Sequence, residues 1–177
     1  MSRSLPVLSD TRHRDTLRGD CARCAALCCV ALAFDRGPEF AFDKAADERC
    51  RHLGASQRCL VHASRSTRGL AGCISYDCFG AGQYVSERLF PEALHGAAGE
   101  LSPRMLEAFR SLRRVHELRF LLHEAARFEA GAPERHELLA RLEPEGGLTL
   151  RALEALNLSA IEREVSDFLR RLAGVDS

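Results

Sequence analysis

Cys21-Ala22-Arg23-Cys24-Ala25-Ala26-Leu27-Cys28-Cys29 is the stretch on which the reading of this chain turns. It gathers four thiols into one short run. The other four, Cys50, Cys59, Cys73 and Cys78, follow within the first half of a 177-residue chain, and none lies beyond Cys78. The opening run has two readings. If it is helical, successive residues turn by about 100°, so Cys21, Cys24 and Cys28 fall within about 60° of one another while Cys29 points elsewhere. If it is a turn, Cys21 and Cys24 form a knuckle whose thiolates chelate one ion. A tetrahedral zinc site joins a close pair of ligands to a distant pair, so eight cysteines supply two such sites, or one cluster and one zinc. Iron–sulfur clusters also take four thiolates, and spacing alone does not choose between them. The candidate metal ligands are therefore Cys21, Cys24, Cys28, Cys29, Cys50, Cys59, Cys73 and Cys78.

The rest of the composition narrows the setting. Lys and Arg number 25, as do Asp and Glu, and the formal net charge is +0, which argues against a general nucleic-acid binder. No apolar run approaches the length of a membrane span. Met1 to Asp20 is polar and lacks the apolar stretch of a signal peptide, so the expected compartment is the cytoplasm. Persistent disulfides are disfavoured there, and metal binding or redox chemistry gains weight. Simple burial of cysteines as small hydrophobes accounts for one or two thiols but not for eight.

Arg23, Arg49, Arg51 and Arg58 flank the cysteines and would offset the negative charge of a tetrathiolate site, although arginine is frequent throughout the chain. His52 and His62 lie close to Cys50 and Cys59 and are alternative ligands. A Cys–His nucleophile pair is a weaker alternative, because the thiols already have an explanation; the residues leave enzyme activity open and favour a non-enzyme.

The cysteine region is rich in glycine and suggests loops and short elements held by something other than a large core. Cys21 to Leu32 reads as a helix capped by Asp20, Gln83 to Phe90 as a second helix stopped by Pro91, and Phe40-Ala41-Phe42 as a short strand or an extended edge. Pro91 to Gly99 reads as a linker. Beyond it, Ser102 and Pro103 start a long helix. Its apolar stripe is Met105, Phe109, Leu112, His116 and Arg119, widened by Leu106, Val115, Leu118 and Leu122, and it is expected to run to about Ala130, with Gly131 as its stop. Shorter helices are expected from Pro133 to Leu142 and from Thr149 to Asn157. A last helix, with Ser159 and Glu162 as a capping box, carries Ile161, Val165, Phe168, Leu169 and Leu172. Leu148, Leu153 and Leu158 recur every five residues, which a helical reading explains better than a pentapeptide coil.

Cys21-x-x-Cys24-x-x-x-Cys28-Cys29, Cys50-Arg-His-Leu53, Cys59-Leu-Val-His62, and Gly72-Cys73 near Cys78 together resemble the cysteine-rich zinc- or iron-chelating family of the YkgJ type. The opening run has one residue more than that family's, His62 stands where a tyrosine is usual, and Arg68-Gly69 replaces an Arg-Pro. Asp20 to Val30, Tyr76 to Gln83 and the helical segment with His116-Glu117-Leu118 are more closely similar to the cysteine-rich N-terminal region of actinobacterial pentapeptide-repeat proteins, with the repeat coil absent. The resemblance implies metal binding.

The expected architecture is mainly α. An N-terminal mobile arm (1–16) precedes a small metal-stapled, loop-rich cysteine unit (17–98), and a helical module (99–177) follows. The expected function is zinc or iron–sulfur binding in a structural or regulatory role. The alternatives are an iron–sulfur redox protein, or a helical scaffold whose metal serves folding only. The expected partner is another protein, docked through the C-terminal helices, with neither nucleic acid nor membrane as a target.

Overall fold

The computed structural model describes residues 16–94, 101–128 and 131–174. The expected arm before Thr16 and the end of the expected linker lie outside the described residues. From Thr16 to Leu94 the elements are short. Helices α1 (Cys28–Ala31), α2 (Gly72–Ser75) and α3 (Ala81–Tyr84) are each about one turn, and α3 continues into a π turn, Val85–Leu89. Single 3-10 turns occupy Cys21–Arg23, His62–Ser64, Ser66–Arg68 and Pro91–Leu94. The described residues form no strand, only isolated bridges pairing Phe34 with Lys44 and Leu53 with Cys59. Longer helices then follow: α4 (Pro103–Glu124), α5 (Ala132–Leu142), α6 (Leu150–Ala155) and α7 (Leu158–Leu172). The fold is mainly helical, with a loop-rich N-terminal region ahead of the helices.

Helix α4 organises the whole. The Ser102 hydroxyl accepts from the Met105 amide at 3.2 Å, satisfying one of the free donors of the first turn, and Pro103 occupies the first helical position. Met105, Phe109, Leu112, Val115, His116, Leu118, Arg119 and Leu122 are all buried, so the apolar stripe legible in the sequence is the face that packs. The helix gives way to a 3-10 turn at Ala125–Arg127, short of the expected end near Ala130. Gly131, at φ +75°, opens α5 instead of closing α4. A Cβ there would lie 2.8 Å from the Phe168 ring, so glycine is needed both for backbone angle and for space.

Helix α7 also differs at its start. Asn157 caps it, accepting from the Ala160 amide at 3.2 Å. The expected Ser159–Glu162 box does not form, and Glu162 accepts instead from the Arg114 guanidinium on α4 at 2.5 Å.

Two expectations for the cysteine region fail. Cys21 to Leu32 is not one helix: Cys24 is extended (φ −115°, ψ 141°) and Ala26 has φ +59°. Non-local partners take the groups a helix would pair internally. The Ala25 amide donates to the Ser86 hydroxyl at 2.9 Å, and the Arg58 guanidinium donates to the carbonyls of Cys21, Ala22 and Cys24. Nor is Phe40–Phe42 a strand. The chain doubles back there, Phe40 stacks on Phe34 with centroids 4.1 Å apart, and Gly72 passes so close that a Cβ would reach within 2.3 Å of the Phe40 ring. The second expected helix starts at Ala81, ahead of Gln83, and widens into the π turn before Pro91.

One core runs through both halves. Leu27, Val30, Ala31, Leu53, Ala81 and Val85 from the cysteine region join the α4 stripe and Leu142, Leu153, Ile161, Val165 and Phe168. A second, smaller cluster of Phe42, Val61 and Leu70 lies wholly inside the cysteine region, and Cys50, Cys59 and Cys73 pack against it. No described helix is long and apolar enough to cross a membrane.

His116 gives the core a pH dependence. Its Nδ1–H donates to the Phe79 carbonyl at 2.7 Å, its ring meets Tyr84 edge-on, and Nε2 is buried without a partner. Burial, reinforced by the nearby Arg119 charge, pushes its pKa down to about 4. The unfolded chain, with an ordinary histidine near 6.5, therefore binds more protons than the folded one between those values. The stability that neutral His116 contributes is full above about pH 6.5 and is lost as pH falls through about 4, to a total on the order of 3 kcal/mol. Urea unfolding at pH 7 and pH 4.5 is expected to show a smaller acid loss in His116→Leu than in the parent. Equal losses in both would show that His116 titrates alike in the folded and unfolded states.

Candidate metal centre

Seven of the eight cysteines line one cavity of about 450 Å³: Cys21, Cys24, Cys28, Cys29, Cys50, Cys59 and Cys73. The eighth, Cys78, lies just behind it. A Cβ at Gly82 would stand 2.7 Å from Cys24 Sγ and 3.8 Å from Cys78 Sγ, so α3 passes close over both sulfurs. All eight cysteines are free thiols. Among the described residues no three His, Cys, Asp or Glu side chains already converge on one point as metal ligands do. The cysteine residues line a shared space instead.

Several parts of the loop region position the thiols. The Cys21–Arg23 turn is held by the Asp20 carboxylate, which accepts from the Ala22 amide, and by Arg58 from across the cavity. Cys28 and Cys29 open α1, whose Val30 and Ala31 are buried in the main core. The Cys50 amide donates to the Cys29 carbonyl at 2.9 Å, bringing the second segment against the first. Cys59 is fixed by its bridge to Leu53, and Cys73 by α2 and by Arg65, which donates to the Cys73 carbonyl at 2.8 Å.

The electrostatics differ from thiol to thiol. Burial pushes Cys24 and Cys73 up to about 11, and it also raises Cys21 and Cys50. The adjacent pair splits. Cys28 is raised chiefly by its hydrogen bond with Cys29. Cys29 is lowered, first by that same bond and then by Lys44, Arg65 and Arg49, against the opposing effect of burial. Cationic charge is thus concentrated beside Cys29.

Two residues that matter here carried no signal in the sequence. Lys44, the chain's single lysine, is 4% exposed, and its ammonium donates to the carbonyls of Val30, Ala45 and Glu48 at 2.9, 3.0 and 2.8 Å. It ties the loop to the end of α1 and places its charge near Cys29 and Cys50. Arg65 joins the His62 and Cys73 carbonyls and acts electrostatically on Cys21, Cys29 and Cys73. The flanking arginines singled out by sequence have mixed roles. Arg58 and Arg49 brace the loops through backbone carbonyls, Arg51 stacks on Phe42, and Arg23 pairs with Glu87 at the surface. His52 and His62 both line the cavity, with His52 edge-on to Phe42.

The chain is 36% identical over 157 residues to the uncharacterized protein YybG of Bacillus subtilis (strain 168). The alignment covers 84% of this chain and 56% of YybG, so the chain spans little more than half of that relative's length. No family model matches the chain. No solved structure matches it.

Proposed function

We propose that this protein binds zinc or an iron–sulfur cluster through its cysteines, in a structural or regulatory role, in a reducing compartment such as the cytoplasm. The observation that carries the reading is the convergence on one cavity of seven thiols from separate segments, with Cys78 adjoining. Soft thiolates suit zinc and iron–sulfur clusters, and Cys50, Cys59 and Cys73 stand over an apolar cluster too small to fix their loops alone. The resemblance to the YkgJ-type chelating family rests on the same residues. A bound metal would supply cross-links between loops that otherwise share few buried contacts. Lys44, Arg65 and Arg49 favour the ionised form of Cys29 and would offset the charge of a thiolate site.

Elemental analysis and a visible spectrum of protein purified without oxygen test this reading. Zinc at about one or two equivalents per chain, or iron with sulfide at about two to four irons per cluster, is the expected result. A colourless zinc protein favours the structural role, and a brown one the iron–sulfur alternative. Metal far below one equivalent would refute the proposal.

A further inference from the structure

A cavity of about 560 Å³ with no cysteine in its lining lies between the π turn that extends α3, the second half of α4 and the loop from α5 to α6. In that loop Gly146 and Gly147 have φ +83° and +85°. A Cβ at Gly147 would stand 2.5 Å from the Tyr84 hydroxyl oxygen and 2.9 Å from an Arg88 nitrogen, so the loop closes tightly over both side chains. The Tyr84 hydroxyl donates to the Leu148 carbonyl at 3.1 Å and holds it there. Single π turns recur at functional sites, and this one carries Arg88 into the cavity wall.

Two buried polar atoms beneath this cavity have no partner. They belong to His116, 2% exposed, and Arg119, 8% exposed, which stand one turn apart on α4 and both line the cavity. The His116 Nδ1–H is turned to the Phe79 carbonyl, outside the lining, so the unpaired Nε2 lies on the other edge of the ring and is an acceptor. Arg119 donates from Nη2 to Glu143 at 2.5 Å and leaves its Nε–H, a donor, unpaired. Buried polar atoms are costly to leave in that state. A hydroxyl answers both at once, donating to Nε2 and accepting from Nε–H. A water would do the same, but the cavity holds far more than one water.

The wall adds a charge. Arg23 pairs with Glu87 and Arg119 with Glu143, whereas Arg88 lies over the Tyr84 ring at 5.3 Å and has no carboxylate partner among the described residues. Tyr84 stands between the two features, its ring centre 5.6 Å from that of His116, so one short molecule reaches both.

We propose that this cavity binds a small hydroxylated organic anion, with its hydroxyl between His116 and Arg119 and its carboxylate or phosphate on Arg88. The site is separate from the thiols and does not depend on the metal reading. Neither floor atom meets solvent, so binding draws Arg119 toward the cavity, and its partner Glu143 is exposed enough to follow.

Calorimetry on the full chain tests this with glycerol 3-phosphate and glycerate. Glycerol lacks the anion and propionate lacks the hydroxyl, so these serve as controls. At least one hydroxylated anion is expected to bind, one per chain, at least about tenfold more tightly than either control. Binding by glycerol 3-phosphate alone assigns the site to phosphate esters, and binding by glycerate alone to hydroxy acids. Arg88→Gln, at an exposed position, is expected to weaken binding about tenfold or more, and Arg88→Lys less. Nitrogen-15 spectra of the parent's histidine rings are expected to show the His116 Nε2 signal shift as it accepts a hydrogen bond. Failure of both hydroxylated anions to bind, or equal binding of a control, would overturn the proposal. So would binding that ignores Arg88→Gln or leaves the His116 signal in place, as for a hydroxy acid caught by a metal at the thiols.

Discussion

A strong metal chelator, added with reductant, is expected to remove amide protection from residues 33 to 80 while α4 stays protected. The loops in that stretch have two isolated bridges in place of a strand ladder, and their own buried cluster is Phe42, Val61 and Leu70. So little apolar burial does not hold a glycine-rich segment by itself. Structural zinc contributes on the order of 10 kcal/mol of apparent binding energy, comparable to the whole stability of a typical domain, and that energy becomes folding energy when the apo site is disordered. Helix α4 and its partners bury Phe109, Leu112, Val115, Leu122, Leu142, Val165 and Phe168 against one another. Cys24→Ser should act as partial chelation. Arg23→Ala should be nearly silent, since its pairing with Glu87 is exposed to solvent. Hydrogen exchange with and without chelator reads the effect. Unchanged protection in the loops would mean that the fold is self-sufficient and the metal an accessory to it.

Phe109→Ala is expected to be the most damaging single core substitution, at about 3–5 kcal/mol in urea unfolding. Phe109 is fully buried in the α4 stripe, and α4 packs against α1, α3, α5, α6 and α7. The cavity left by the ring would therefore open inside the face through which α4 meets the other helices. Because α1 carries Cys28 and Cys29 and rests on α4, the variant should also give up metal to a competing chelator more readily than the parent. A stability loss below about 1 kcal/mol would show that the surrounding helices collapse into the space. A large loss with unaltered metal retention would show that the thiol loops are held independently of α4.

The sequence made some of this legible and not the rest, for identifiable reasons. Helix α4 was readable because its cap, its proline and its period of buried residues all agree, and the stripe correctly took in His116 and Arg119 although neither is apolar. The mainly helical class followed from the same kind of agreement in α5, α6 and α7. The helix expected over Cys21 to Leu32 does not form, although its alanines and leucines favour one locally. What breaks it is Arg58 and Ser86, thirty or more residues away, whose guanidinium and hydroxyl engage its carbonyls and an amide. Phe40–Phe42 failed as a strand for a similar reason: the ring of Phe40 is claimed by Phe34 and Gly72 rather than by a neighbouring strand. Lys44 gave no sign at all. A single lysine in an arginine-rich chain reads as compositional accident until three carbonyls are found around its ammonium. The turn reading of Cys21 and Cys24 is the one the backbone adopts.

X-ray absorption at the metal edge, on full-length protein purified without oxygen, tests the central claim most directly. The account predicts a bound zinc or iron whose first shell is sulfur, at about 2.3 Å if the metal is zinc. A shell of nitrogen and oxygen, or protein that carries no metal while all its thiols react freely, would contradict it.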